Sequence, residues 1–211
     1  MEQNLNRKDI RFLGACGLIF FVSLLVGTHF FYKAFPEATI DFKISRDDAG
    51  DRGSAFLQHR GFDIDAYRHS AIFTFDDMAK TFLERQLGLE EAMAVIGDPV
   101  RLWRWSNRWV VELQKEEFQV EYTTSGDLVG FAHKIEEERE GASLEQQKAR
   151  YLAEQFLSHT MGRDLADLEF VEAAATERPN RTDHSFTWKL VDFEISEAIC
   201  EILVDLFCLK I

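Results

Sequence analysis

Apolar residues follow three different rhythms along this chain. Residues 12–32 (FLGACGLIFFVSLLVGTHFFY) form one run of 21 without Asp, Glu, Lys or Arg. As a helix this run would extend about 31 Å, close to the hydrocarbon thickness of a bilayer. Beyond it, helical spacing alternates with strand spacing. Ser45 caps a helix predicted to reach about Arg60, with Asp48 in the capping-box position, Phe56 and Leu57 inward and Gly61 as a stop. Gly50 and Gly53 weaken that helix by propensity. Residues 67–75 alternate, with Tyr67, Ala71, Phe73 and Phe75 on one strand face and His69 among them as a hydrogen-bonded edge residue. Asp76 and Asp77 cap a second helical region over 78–96, which breaks near Gly88 and ends at 97–99.

Residues 100–114 carry Trp103, Trp105 and Trp109 among Arg101, Arg104 and Arg108. The pattern suits a strand pair with tryptophans inside and arginines over them; a peptide or nucleic-acid groove is the alternative. Phe118, Val120 and Tyr122 alternate in a strand, 124–127 form a turn, and 128–135 return as a hairpin. The acidic run 136–140 reads as a solvated linker.

The second half then repeats the first. Ser143 is the expected N-cap, with Gln146 in the capping-box position, of a helix running to His159. Residues 56–59 (FLQH) match 156–159 (FLSH), and 61–64 (GFDI) match 162–165 (GRDL). Helix, Gly-x-Asp-aliphatic turn and strand, twice over, imply duplication. His59 and His159 become equivalent helix-end residues without chemistry. A polar segment, 177–184, leads into a strand over 185–190, and its Arg178, Arg181, Asp183 and His184 are the candidate interaction site. An ion-pair network that fixes the loop is the competing reading of the same four residues. Residues 196–211 (SEAICEILVDLFCLKI) read as a short amphipathic helix where another alternating hairpin is expected, as in a truncated or frameshifted product. The expected organisation is a head over 1–11, a transmembrane helix over 12–32, an α+β module over 45–135, an incomplete second module over 143–195 and an atypical tail over 196–211.

Charge sharpens the picture at both ends of the run. Arg7, Lys8 and Arg11 precede it and only Lys33 follows closely, so the positive-inside rule keeps the head in the cytoplasm and exports the rest. The run is too long for a signal h-region, and the aromatics behind it suit a membrane interface better than a cleavage site. A cleaved signal and a buried core helix remain the alternatives to an anchor. The string LGAC at 13–16 resembles a lipoprotein box, but it opens the apolar run instead of closing it. Past residue 33 the chain holds 20 basic and 35 acidic side chains, a net of −15, which disfavours nucleic acid and anionic lipid surfaces as partners. Three cysteines give no disulfide framework, and no pattern calls for a metal, a cofactor or a catalytic group.

Four strings resemble a known family. AKTFLER (79–85), LWRW (102–105), LQKEEF (113–118) and RPNRTDH (178–184) are similar to the N-terminal extension of bacterial CAAX-protease/bacteriocin-processing (CPBP) intramembrane proteases. The membrane helix followed by helix-plus-sheet repeats looks like tandem PepSY-type modules. The resemblance covers about residues 10–193. It implies a bacterial membrane location and a multi-helix metalloprotease domain as neighbour. It brings no catalytic residue: no Glu-Glu pair here, at 90–91, 116–117, 136–137 or 137–138, has Arg five positions after its first Glu. The expectation is therefore a non-catalytic exported interaction or regulatory module. The front portion of a CPBP protease, or an independent peptide-binding or inhibitor module, are the alternatives.

Overall fold

The computed structural model of the chain describes residues 6–35, 38, 40–97, 99–195 and 198–206. They fall into two units, 1–41 and 42–211.

The first unit is a single helix, α1 (Arg7–Ala34), longer than the apolar run at both ends. The Asn6 amide donates to the Asp9 carboxylate at 2.9 Å and closes its first turn. Thr28 is polar but satisfied: its hydroxyl reaches the Leu24 and Leu25 carbonyls at 3.0 and 3.1 Å. The apolar stretch Arg7–Phe31 buries none of its surface inside the chain. A core helix is mostly buried, so this exposure suggests a membrane anchor or a signal sequence.

The second unit is α+β, as the periodicities predict. Helix α2 (Arg46–His59) begins on the Ser45 cap: the Asp48 amide donates to the Ser45 hydroxyl at 3.1 Å, and the Ser45 amide donates to the Asp48 carboxylate at 2.9 Å. Strands β1 (Arg68–Thr74), β2 (Arg104–Val110), β3 (Glu117–Thr123) and β4 (Leu128–Lys134) form an antiparallel meander in that order. Helices α3 (Asp77–Leu87) and α4 (Leu89–Val95) are inserted between β1 and β2. They break at Gly88, whose φ of 82° suits glycine. Helix α5 (Gln146–Gln155) continues through a π-turn (Phe156–Thr160). Strands β5 (Leu168–Arg178), β6 (Arg181–Ile195) and β7 (Ala198–Leu206) make a second antiparallel meander.

In each half a helix packs on one face of its sheet. The first core gathers Leu57, Ile64, Trp109, Phe118, Val120 and Tyr122; the second gathers Leu157, Phe186, Trp188 and Val204. The duplication is legible in burial as well as in sequence. Ala49, Gly53 and Leu57 line the inner face of α2, and Ala149, Ala153 and Leu157 line that of α5 and its extension, all at an offset of 100. Gly50 and Gly53, weak points by propensity, are close-approach sites. A Cβ at Gly53 would overlap the Trp109 indole, and one at Gly50 would lie 2.7 Å from His69. His69 sits at the sheet edge, stacked on Trp109 and hydrogen-bonded to Asn107 at 3.1 Å.

Four expectations need correction. Residues 104–110 form one strand, between β1 and β3, and not a pair. Strand alternation puts the arginines on the opposite face from Trp105 and Trp109. There Arg104 pairs with Glu121 at 3.2 Å and Arg108 pairs with Glu117. Ser143 does not cap α5; Glu145 occupies the N-cap, without a side-chain bond. Finally, 198–206 is not helical: it is β7, paired with β6 through Phe186–Val204 and Trp188–Ile202. Residues 196–197 and 207–211 of the expected helix lie outside the described residues.

Candidate interaction site at the module junction

The four candidate residues lie in the β5–β6 hairpin, not in an open loop. Pro179 and Asn180 make the turn, so Arg178 and Arg181 face each other across it. Both guanidinium groups address one carboxylate. Arg178 Nε lies 2.9 Å from Asp183 Oδ2, and Arg181 Nε lies 2.7 Å from Asp183 Oδ1. Arg181 Nη1 also donates to the carbonyls of Glu136, Glu137 and Arg139, at 3.0, 3.0 and 2.8 Å. The inter-module linker thus curls around one guanidinium. Asn180 Nδ2 donates to the Glu138 carbonyl at 2.6 Å, and the Thr182 amide reaches the Ala142 carbonyl.

Alternation puts His184 on the other face of β6. Its Nε2 bonds the Leu144 carbonyl at 2.8 Å, and its ring stacks on Phe186. Arg181, Asp183 and His184 are only 5, 5 and 4% exposed. Three of the four candidates are therefore consumed in bonds that hold 136–144 against the second sheet; Arg178 remains partly open.

A second cluster ties the same linker to the first sheet. Glu116 Oε1 accepts from His133 Nε2 and from Arg139 Nη1, each at 2.7 Å. His133 stacks on Phe118, with ring centroids 4.2 Å apart, and the Tyr67 ring is tilted against Phe118 at 5.4 Å. Burial alone would raise the Glu116 carboxyl. Hydrogen bonds from His133 and Arg139, with their charge, outweigh it and hold Glu116 below its ordinary 4.5. Burial, with the neighbouring Glu116 charge, raises the Tyr67 phenol. The sequence carried a signal for this cluster only through register: Phe118 opposes His133, so Glu116 falls beside the end of β4.

A depressed carboxyl pKa stabilises the fold above the unfolded value and stops doing so as pH falls through the folded value. Glu116→Gln is therefore expected to lower stability at pH 7. The gap from the parent chain should close as pH drops below 4.5. Denaturant titrations at pH 7 and pH 3.5 check this; a gap that widens in acid overturns the assignment.

The helix ends form a third contact. Arg60 Nη2 donates to Thr160 Oγ1 at 3.0 Å. Its guanidinium lies over Phe56 and Phe156, 4.6 and 5.2 Å from their centroids. The equivalent histidines, His59 and His159, are both exposed. Among the described residues no cluster of His, Cys, Asp and Glu is placed to hold a metal.

A family model described as the YcdB, YcdC repeated domain (DUF4901) matches residues 86–211. The chain belongs to this family. No curated protein and no solved structure matches it. The matched part of the YcdB, YcdC repeated domain starts at the end of α3 and takes in both sheets from β2 onward, with the whole junction. The family match supplies nothing toward a CPBP or PepSY relationship. The strings that carried that resemblance have structural work here. Lys80 and Glu84 pair at 2.8 Å on α3, and Trp105 Nε1 donates to the Ile44 carbonyl at 3.2 Å. Glu116 and Arg181 anchor the linker from either side.

Proposed function

We propose that the chain is a membrane-anchored, exported, non-catalytic interaction module built from two repeats. The observation that carries this reading is the separation of roles along the chain. An apolar helix with basic residues before it buries nothing inside the protein, while the acidic α+β unit spends its candidate groups on its own junction. Arg181, Asp183 and His184 are buried and bonded, and Glu136 and Glu137 offer backbone carbonyls, not carboxylates, to Arg181. The resemblance to CPBP extensions adds a second proposal, that such a module regulates or once accompanied an intramembrane protease. It rests on the four strings alone.

The test joins residues 1–46 to a reporter that is active only outside the cytoplasm. The fusion is expected to be active and to sediment with membranes. Recovery in the soluble cytoplasmic fraction overturns the anchor. In parallel, the purified chain is expected to leave peptide substrates intact; cleavage that disappears in Glu136→Gln or Glu137→Gln overturns the non-catalytic reading.

A further inference from the structure

The two repeats can be aligned through their sheets. His69 in β1 stands opposite Trp109, and Phe170, 101 residues later, stands opposite Trp188. Trp109 faces Phe118 in β3, and Trp188 faces Ile202 in β7. Strand β7 is therefore the counterpart of β3. Two steps along each strand, Val204 takes the place of Val120; one step the other way, Glu201 takes the place of Glu117.

In the first repeat the outer edge of β3 is filled by β4. Phe131 lies opposite Val120 and packs on Phe56 and Phe62, at 5.2 and 6.3 Å. Lys134 lies opposite Glu117 and pairs with it at 2.6 Å. In the second repeat, among the described residues, no strand lies beyond β7. Among the described residues its outer backbone groups pair with no strand, Glu201 is exposed, and Leu203 is 61% exposed. An edge strand of this kind is a template for another strand.

We propose that the outer edge of β7 binds an extended basic-aromatic segment as an antiparallel fourth strand. The segment places an aromatic side chain opposite Val204 and, three residues on, a Lys or Arg opposite Glu201. Charge complementarity selects this occupant. Glu201 stands where the first repeat has Glu117, which the chain itself pairs with Lys134, and the region past residue 33 has a net charge of −15, which draws a basic strand and repels another copy of itself. A second copy would bring a further acidic edge, with Glu201 and Asp205 in its sequence, to the same place. The proposal deepens the reading of the chain as an interaction module by naming the partner's chemistry. The reporter experiment reads anchoring and export, so a failure there and a failure here are distinguishable.

The test uses the full chain in detergent micelles and a fluorescent peptide with the sequence of residues 128–135, the chain's own fourth strand with one flanking residue, which carries Lys134 and no acidic side chain. Saturable binding is expected by anisotropy. Lys134→Glu in the peptide should weaken it about fivefold to tenfold, and Phe131→Ala should weaken it as well. Glu201→Lys in the protein should reverse the preference, binding the Lys134→Glu peptide better than the original. That swap also shows that the variant is folded and that the peptide sits at β7 and not in place of β4. Absence of saturable binding up to about 1 mM peptide, or equal affinity for both peptides, overturns the proposal. So does sedimentation as a dimer that the peptide dissociates without regard to the charge at Glu201, which would assign the edge to a second copy.

Discussion

Leu57→Ala and Leu157→Ala are each expected to destabilise the α+β unit by about 2–5 kcal/mol. Both side chains are fully buried, at the same place in the two repeats, at the end of the inner stripes Ala49–Gly53–Leu57 and Ala149–Ala153–Leu157. Each faces a sheet whose cross-strand tryptophan, Trp109 or Trp188, cannot follow the missing atoms without dragging its neighbours. The residual cavity therefore adds to the lost transfer energy. A loss of this size should lower the melting midpoint by roughly 5–15 °C for a chain of this length. Phe56 and Phe156, which sequence alone marks as the equivalent core pair, are only partly buried and share the Arg60 guanidinium. Their replacement by Ala is expected to cost less than the leucine changes, and His59→Ala and His159→Ala less again. Thermal melts of the full chain in detergent check the order. Leucine variants that melt with the parent would overturn the duplicated core.

Which features were legible in sequence follows from how far apart the deciding groups lie. The Ser45–Asp48 box, the break at Gly88 and the turn around Gly126, with φ of 99°, are settled within a few residues, and each forms where local chemistry places it. The helix expected over 196–211 failed because a short apolar run fits either period. Pairing with β6, whose partners lie as far as 22 residues away at His184 and Leu206, decides in favour of a strand. The start of α5 moved for a related reason. His184 holds the Leu144 carbonyl, so the chain is pinned just past Ser143 and the helix begins after Glu145. Propensity misjudged Gly50 and Gly53, since their value lies in the rings pressed against them. The four junction residues stand out by composition, which fits a binding loop and an ion-pair network alike; their bonds to 136–144 depend on contacts some 40 residues apart that composition does not carry. Glu116 and His133 were missed because only strand register brings them together.

Arg181→Ala is expected to cost about 3–5 kcal/mol and to release the linker between the repeats. The side chain is buried beside Asp183, and the change removes three things at once. Asp183 loses the shorter of its two ion pairs, so a buried carboxylate leans on the partly open Arg178 alone. The carbonyls of Glu136, Glu137 and Arg139 lose their common donor. The linker then keeps its ties at Asn180, Thr182 and His184, with the Glu116–Arg139 pair on the far side. Arg181→Lys should recover little, because one ammonium cannot span the carboxylate and the three carbonyls in the fork geometry of a guanidinium. Removing both charges, in Arg181→Met with Asp183→Leu, should be milder than Arg181→Ala, since no buried carboxylate is then left short of a partner. Denaturant unfolding gives the energies, and amide exchange at Gly141 and Thr182 reports the linker. Faster exchange there with an unchanged α2 core is the expected result. A tolerated Arg181→Ala, with the linker still protected, would mean that the buried guanidinium serves a ligand and not the junction.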